Sequence, residues 1–157
     1  MFEYHFFDTD EFGTAEFDIS GAEYATLLNK CFECCSVLSF FVRSADISLP
    51  AELQAYRIPV TPTIARRYER YRDSGEVRAY HLSPQNKRTI FAITDSMFSW
   101  IDGWDYHHPE DPIFYRDDGS IFLTSVIHDG HVILSPRSDE DVSFIIKNPN
   151  WIKRSAP

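Results

Sequence analysis

The chain has 157 residues, enough for one domain with a core, because folding at this size removes roughly 70% of the unfolded surface from water. Hydrophobic residues make up 43% of the sequence and aromatic residues 15%, which excludes a disordered chain. The net charge is -9, and neither a signal peptide nor an apolar run near the ~18 residues of a membrane span is present. We therefore predict one soluble, cytoplasmic domain over residues 1–157.

The first part of the chain changes from strand spacing to helix spacing. Apolar and polar residues alternate over residues 1–7 and again over residues 15–19, which predicts an N-terminal hairpin. Ser20 and Glu23 have the spacing of a capping box, and the apolar residues after them predict an amphipathic helix over residues 21–35. The apolar run over residues 37–42 predicts a central strand that is covered on both faces.

Cys31, Cys34 and Cys35 lie near the end of the predicted helix. A redox pair gains thiolate character from a helix N-terminus, and this position provides none. A zinc site would need a fourth ligand. The pattern therefore predicts buried, reduced thiols that act as small apolar residues.

The middle of the chain is divided by prolines and glycines into short elements. Their spacing predicts short helices over residues 50–56, 64–73 and 95–103, with a hairpin formed by residues 76–82 and 88–93. Residues 57–88 carry eight basic and three acidic side chains, a net charge of +5, whereas the rest of the chain sums to -14. This asymmetry argues against nucleic acid as the ligand. The helix with Arg66, Arg67, Arg70 and Arg72 remains an alternative interface.

Residues 100–112, WIDGWDYHHPEDP, combine aromatic rings with carboxylates and predict a surface loop. Tryptophan and tyrosine anchor protein interfaces, and surrounding carboxylates select a basic partner. The predicted partner-binding residues are Trp100, Asp102, Trp104, Asp105, Tyr106, Glu110 and Asp111.

The segment 112–135 predicts three antiparallel strands, because Asp118-Gly119 and Asp129-Gly130 are two-residue hairpin signals. If the second turn has two residues, the pairs across it are His128 with His131, Ile127 with Val132, Val126 with Ile133 and Ser125 with Leu134. A last helix is predicted from Ser138 to Pro149. The fold class is therefore α+β, with a mainly antiparallel sheet, helices packed against it, and a C-terminal three-strand meander followed by a helix.

No nucleophile elbow, phosphate-binding loop or zinc-protease motif occurs in the sequence. His128 and His131 would place their Cβ atoms about 5 Å apart if directly paired, but two ligands do not make a zinc site. We therefore expect no catalytic residue, no metal and no cofactor. A small hydrolase or metal-dependent enzyme that uses both histidines is the alternative.

The run from Pro109 to Ser135, PEDPIFYRDDGSIFLTSVIHDGHVILS, is followed by a helix start of the type Ser-Asp-Glu-Asp. This part of the chain resembles the end of small bacterial immunity proteins of polymorphic toxin systems. The resemblance implies a non-enzymatic antitoxin that covers the active site of one toxin, often a basic nuclease, and it assigns no functional residues. With the acidic charge, it predicts a binding protein that neutralises a cognate basic protein such as a toxin domain.

Overall fold

A single antiparallel sheet organises the computed structural model, which describes residues 1–44, 47–71, 75–101 and 108–156. The strands are β1 (Phe2–Phe7), β2 (Val37–Val42), β3 (Arg57–Ile58), β4 (Glu76–His81), β5 (Glu110–Tyr115), β6 (Ile121–Val126), β7 (His131–Leu134) and β8 (Trp151–Ser155). Their order across the sheet is β3-β4-β2-β5-β6-β7-β1-β8. The α-helices are α1 (Gly21–Cys34), α2 (Pro62–Arg66) and α3 (Lys87–Phe91). The fold is therefore α+β, as predicted.

One face of the sheet carries the larger core, which α1 helps to cover. Tyr24, Leu27, Leu28 and Cys31 recur at helical spacing in α1, and all four are buried. They belong to one cluster with strand residues such as Phe6, Leu38, Phe40 and Phe114. This burial confirms the predicted amphipathic helix, because its apolar stripe faces the sheet.

The opposite face has a smaller core on the part of the sheet around β2. Its members come from α2, the turn after it, the 3₁₀ turn Glu69–Tyr71 and three strands, and they are Phe41, Ile64, Tyr68, Tyr71, Ala79, Ile113 and Tyr115. The cross-strand partners of Ile113 continue this face through Thr124 and Ile133 to His5. Residues directly opposite on neighbouring strands point to the same face. His5, Phe7 and His131 therefore lie on this second face, on the outer half of the sheet.

Two predicted strands are not part of the sheet. Residues 15–19 do not form a strand with β1; only the isolated bridge between Thr9 and Glu16 is present there, and β1 pairs with β7 and β8. The predicted second strand of the 76–93 hairpin is α3. Asn86 causes this change, because its side chain accepts from the Ser83 N–H and donates to the His81 carbonyl, so the chain turns into a helix.

The helix predicted from Ser138 to Pro149 is not formed. Residues 138–150 are turns, and the chain then enters β8 at the edge of the sheet. The side chains of the predicted first turn explain this outcome. Glu140 accepts hydrogen bonds from the Arg116 side chain and the Arg137 N–H, and Asp141 accepts from the Ser143 N–H. Such local side-chain bonds compete with helical backbone bonds.

The register predicted for the β6–β7 turn is wrong. Val126, not His128, pairs with His131, and Ser125 pairs with Val132. Ile127–Asp129 form a 3₁₀ turn that ends at Gly130 with φ 60°, a left-handed conformation that glycine adopts easily. The connection is therefore two residues longer at its start than a two-residue hairpin, and His128 lies outside the ladder.

The predicted helix over residues 64–73 is shorter in the structure. It comprises α2 and the separate 3₁₀ turn Glu69–Tyr71, and residues 72–74 lie outside the described part of the chain. Residues 51–56 and 97–99 are also 3₁₀ turns. Within the described residues, no helix combines the length and the apolar character needed to cross a membrane.

Candidate functional site

Three of the seven predicted partner-binding residues lie in the interior. Trp100 is fully buried in the larger core, where its indole N–H donates to the Tyr24 hydroxyl at 2.8 Å. Glu110 and Asp111 begin β5 and are also buried. The expectation that residues 110–112 belong to an exposed loop is therefore wrong. The other four residues, Asp102, Trp104, Asp105 and Tyr106, lie outside the described residues.

Asp111 is the centre of a buried polar network. Its carboxylate accepts hydrogen bonds from the side chains of Arg70 and Tyr71 and, at 2.6 Å, from the Ile127 N–H. Its carbonyl accepts from the Tyr68 hydroxyl at 2.9 Å. The backbone of Asp111 has φ 51°, an unusual conformation for a residue other than glycine. The four hydrogen bonds hold the strand in this conformation, next to the register shift between β2 and β5.

Glu110 forms the second part of this network. One oxygen accepts from Arg43 Nε at 2.9 Å, and the other accepts from Arg43 at 3.0 Å and lies 2.9 Å from His128 Nε2. Burial opposes ionisation of Glu110, but the Arg43 and His128 contacts outweigh it, and the pKa of this carboxyl is lowered. Glu110 is therefore a buried carboxylate that is compensated by a guanidinium and an imidazole.

Tyr71 lies between these side chains. Its ring is stacked on Phe41, and the guanidinium carbons of Arg43 and Arg70 are 5.4 Å and 4.8 Å from its centroid. Burial, followed by the Asp111 contacts, raises the pKa of the Tyr71 hydroxyl. Tyr71 therefore stays neutral and donates to Asp111. The network as a whole fixes the ends of β2 and β5 and the turn after α2.

The two histidines of the enzyme alternative make different contacts. His128 is 41% exposed and contacts Glu110. His131 lies in the sheet, where its Nε2 is 2.9 Å from Nδ1 of His5 and its ring is stacked on Phe7 at 4.3 Å. In the described part of the chain, no group of three or more His, Cys, Asp or Glu side chains has the geometry to hold a metal ion.

The cysteines are free thiols on and just after α1. Cys31 and Cys35 are buried and Cys34 is partly buried. Burial is the main cause that raises the pKa of each of the three thiols. A raised pKa lowers the thiolate fraction, and this agrees with the prediction of unreactive cysteines.

Residues 8–18, the acidic segment, connect β1 to the turn before α1. Five carboxylates and no basic side chain occur in it: Asp8, Asp10, Glu11, Glu16 and Asp18. Asp10 orders the turn, because its carboxylate accepts from the Thr14 N–H and hydroxyl, both at 2.6 Å, and these bonds lower its pKa. Gly13, with φ 64°, allows the turn, and the side chain of Phe12 at its tip is 78% exposed.

The carboxylates of the acidic segment differ from those of the buried network in their partners. Among the described residues, none of the five forms an ion pair with a basic side chain. The Asp18 carboxylate accepts hydrogen bonds from two backbone N–H groups, those of Ile19 and Phe98. The segment is therefore an ordered acidic surface with an exposed aromatic ring.

A cleft of about 550 Å³ opens between the acidic segment and β8. It is lined by Phe7, Thr9, Asp10, Glu11, Phe17, Pro149, Asn150, Ile152 and Arg154. Ile152 is 46% exposed, and the Arg154 guanidinium carbon is 5.5 Å from the centroid of the Phe7 ring. The lining thus combines apolar surface with two acidic residues, Asp10 and Glu11, and one basic residue, Arg154.

The sequence interpretation missed both of these sites. The run of five carboxylates without a basic residue, followed by Phe12-Gly13, is a signal that could have found the acidic segment. The buried network gives a weaker signal, because its acids and its arginines are far apart in the chain. Comparison with known protein families, with curated proteins and with solved structures found no match to this chain.

Proposed function

We propose that this protein is an acidic, non-enzymatic binding protein that neutralises a cognate basic protein, as a toxin immunity protein does. The observation that carries the proposal is the acidic segment, where five carboxylates that form no ion pair within the described part of the chain stand beside the exposed Phe12. Carboxylates that no internal cation neutralises attract a basic partner and speed its encounter. An exposed aromatic ring supplies apolar area that a partner can bury.

Carboxylates elsewhere on the surface support the proposal by contrast. Glu76 contacts Arg57 and Arg78, Glu140 contacts Arg116, and Asp118 contacts Arg137. Pairs of this kind neutralise each other locally and add little to the field around the protein. The carboxylates of residues 8–18 differ from these, because none of them forms an ion pair among the described residues.

The four predicted interface residues outside the described part of the chain remain part of this proposal. Asp102, Trp104, Asp105 and Tyr106 are proposed to contact the partner, because aromatic side chains anchor interfaces and carboxylates select a basic partner. Trp100, Glu110 and Asp111 would act indirectly, by holding the ends of that segment in the core and in β5. The basic side chains of Arg66, Arg67 and Arg70 are exposed and form the alternative interface.

One observation favours the enzyme alternative. His128 is partly exposed while its Nε2 contacts the buried Glu110, and a carboxylate that orients an imidazole is the arrangement of many general bases. A hydrolase of this kind would lose its activity in His128→Gln. His131, the second histidine of this alternative, contacts His5 and Phe7.

The experiment that tests the proposal is capture followed by inhibition. The immobilised protein is exposed to extract of its host, the captured protein is identified and purified, and its activity is titrated with the protein. We expect a basic partner that loses activity at a 1:1 ratio. The Glu11→Gln/Glu16→Gln variant should associate more slowly at low salt, whereas the matched Glu52→Gln/Asp117→Asn variant should not. A captured protein that stays fully active at saturation would contradict the proposal.

A further inference from the structure

We propose that the cleft between the acidic segment and β8 is the docking site for a lysine or arginine side chain carried by the basic partner. This inference rests on the proposed function and gives it a location. The occupant is a cation on an aliphatic stem, because the cleft offers carboxylates and apolar surface side by side. Lysine and arginine bury their stems against apolar groups while their charged ends meet polar ones.

The charge of the cleft fits this occupant. Asp10 and Glu11 line it directly, and the other three carboxylates of the acidic segment belong to the same stretch of chain. Asp10 is held in place by Thr14, so its carboxylate is ordered before a partner arrives. A preorganised acceptor loses little conformational entropy when it binds a cation.

A cation of the protein itself contacts the aromatic side of the cleft. The guanidinium carbon of Arg154 lies 5.5 Å from the centroid of Phe7, within the range of a cation–π contact. Phe7 is itself held by its stack on His131 in the neighbouring strand. A partner's lysine or arginine would enter the same environment, and the positive charge of Arg154 would oppose it. Arg154 therefore limits the affinity of the cleft.

The apolar surroundings suit a protein partner. Phe12 and Ile152 are two of the exposed large hydrophobic side chains, and one belongs to the acidic segment while the other lines the cleft. A folded partner that inserts a cation can bury both side chains around it. A phosphate backbone, in contrast, would meet the carboxylates of residues 8–18 and be repelled.

A defined probe tests the cleft without the partner. An acetylated hexalysine peptide with a fluorescent label is titrated at low salt, with anisotropy for affinity and amide NMR shifts for location. We expect the largest shifts at Asp10, Glu11 and Ile152. Glu11→Gln should weaken binding by about two- to fivefold, the range for one exposed charge pair, and the control Glu52→Gln should change it less. Arg154→Gln should strengthen binding.

Equal losses in the Glu11 and Glu52 variants, or shifts spread over the whole acidic surface, would overturn the cleft assignment. A decrease in affinity in Arg154→Gln would overturn it as well. The same variants, measured on the captured partner, separate the two proposals. If the partner is inhibited equally by the parent protein and by the Glu11 and Arg154 variants, the cleft is not the docking site, and the proposed function still holds. If the peptide binds at the cleft but no partner is inhibited, the proposed function is wrong, and the assignment of the cleft as a cation site still holds.

Discussion

The buried network around β5 and the acidic segment both contain aspartate and glutamate, but the carboxylates have opposite roles in the two regions. Glu110 and Asp111 are buried, and each is compensated by an arginine and by further donors. The five carboxylates of residues 8–18 form no ion pair among the described residues, and their hydrogen bonds are local or to backbone N–H groups. The first group is a part of the folded framework, and the second group is available to another molecule.

Carboxylate content alone therefore does not locate a binding surface. A buried carboxylate that has lost its water must find internal partners, so its charge is already satisfied. An exposed carboxylate keeps its water and its long-range field, and binding can use both. We therefore expect substitutions of the β5 carboxylates to lower stability strongly without a direct effect on binding. Substitutions at residues 8–18 should weaken binding and hardly change stability.

The largest effect is expected for Asp111→Ala. The change leaves Arg70, the Tyr71 hydroxyl and the Ile127 N–H without their acceptor and keeps a positive φ that alanine tolerates poorly. We expect a loss of about 3 kcal/mol in the free energy of unfolding, measured by urea denaturation. Asp111→Asn should lose less, because asparagine tolerates this backbone and keeps one acceptor. Equal stability of the alanine variant and the parent would show that the network is not structural.

A smaller effect is expected for Glu110→Gln, about 2 kcal/mol near pH 7, because Arg43 and His128 lose their buried counter-charge. The pKa of Glu110 is lowered in the folded state, so its contribution is present above the ordinary value of 4.5 and is lost as the pH falls through the folded value. Urea midpoints from pH 7 to pH 3 should therefore fall less steeply in the variant. Parallel pH curves for the two proteins would contradict this account.

A still smaller effect concerns His131. Burial, the neighbouring His5 and Arg154 lower its pKa from 6.5, whereas Asp129 opposes this shift and Glu3 lies beside His5. The folded protein resists protonation, so stability should decrease as the pH falls below 6.5 toward the folded pKa. His131→Phe keeps an aromatic ring next to Phe7 and removes the titration. Between about pH 7.5 and about pH 5.5, the urea midpoint of the variant should vary less than that of the parent protein.

The parts of the fold that could be predicted are those with a self-contained pattern. The helix over residues 21–35 and the strand over residues 37–42 correspond to α1 and β2 because their apolar spacing alone decides which face is buried. The turn before β7 could not be predicted in this way. Its Ile127 N–H donates to Asp111, which is 16 residues away in the chain, so a tertiary hydrogen bond selects the 3₁₀ turn.

The same reason explains the error at Glu110 and Asp111. A carboxylate pair before a proline has the local pattern of an exposed loop. Their burial depends on Arg43 and Arg70, which are 67 and 41 residues away in the sequence. Trp100 is likewise held by Tyr24, 76 residues away. Local composition therefore identifies acidic and aromatic residues, but it does not show which of them will be buried with hydrogen-bond partners inside the folded protein.

The smallest stability effect is expected for the Glu11→Gln/Glu16→Gln variant. Both side chains are exposed, and neither forms an ion pair among the described residues, so the free energy of unfolding should change by no more than about 0.5 kcal/mol. The turn should persist, because the Asp10 bonds to Thr14 are untouched. Urea denaturation measures the change, and Glu140→Gln is the informative control, since it removes the charge that Arg116 contacts at 2.6 Å and should cost more. If the double variant were the less stable of the two, the carboxylates of residues 8–18 would belong to the framework, and the contrast with β5 would not hold.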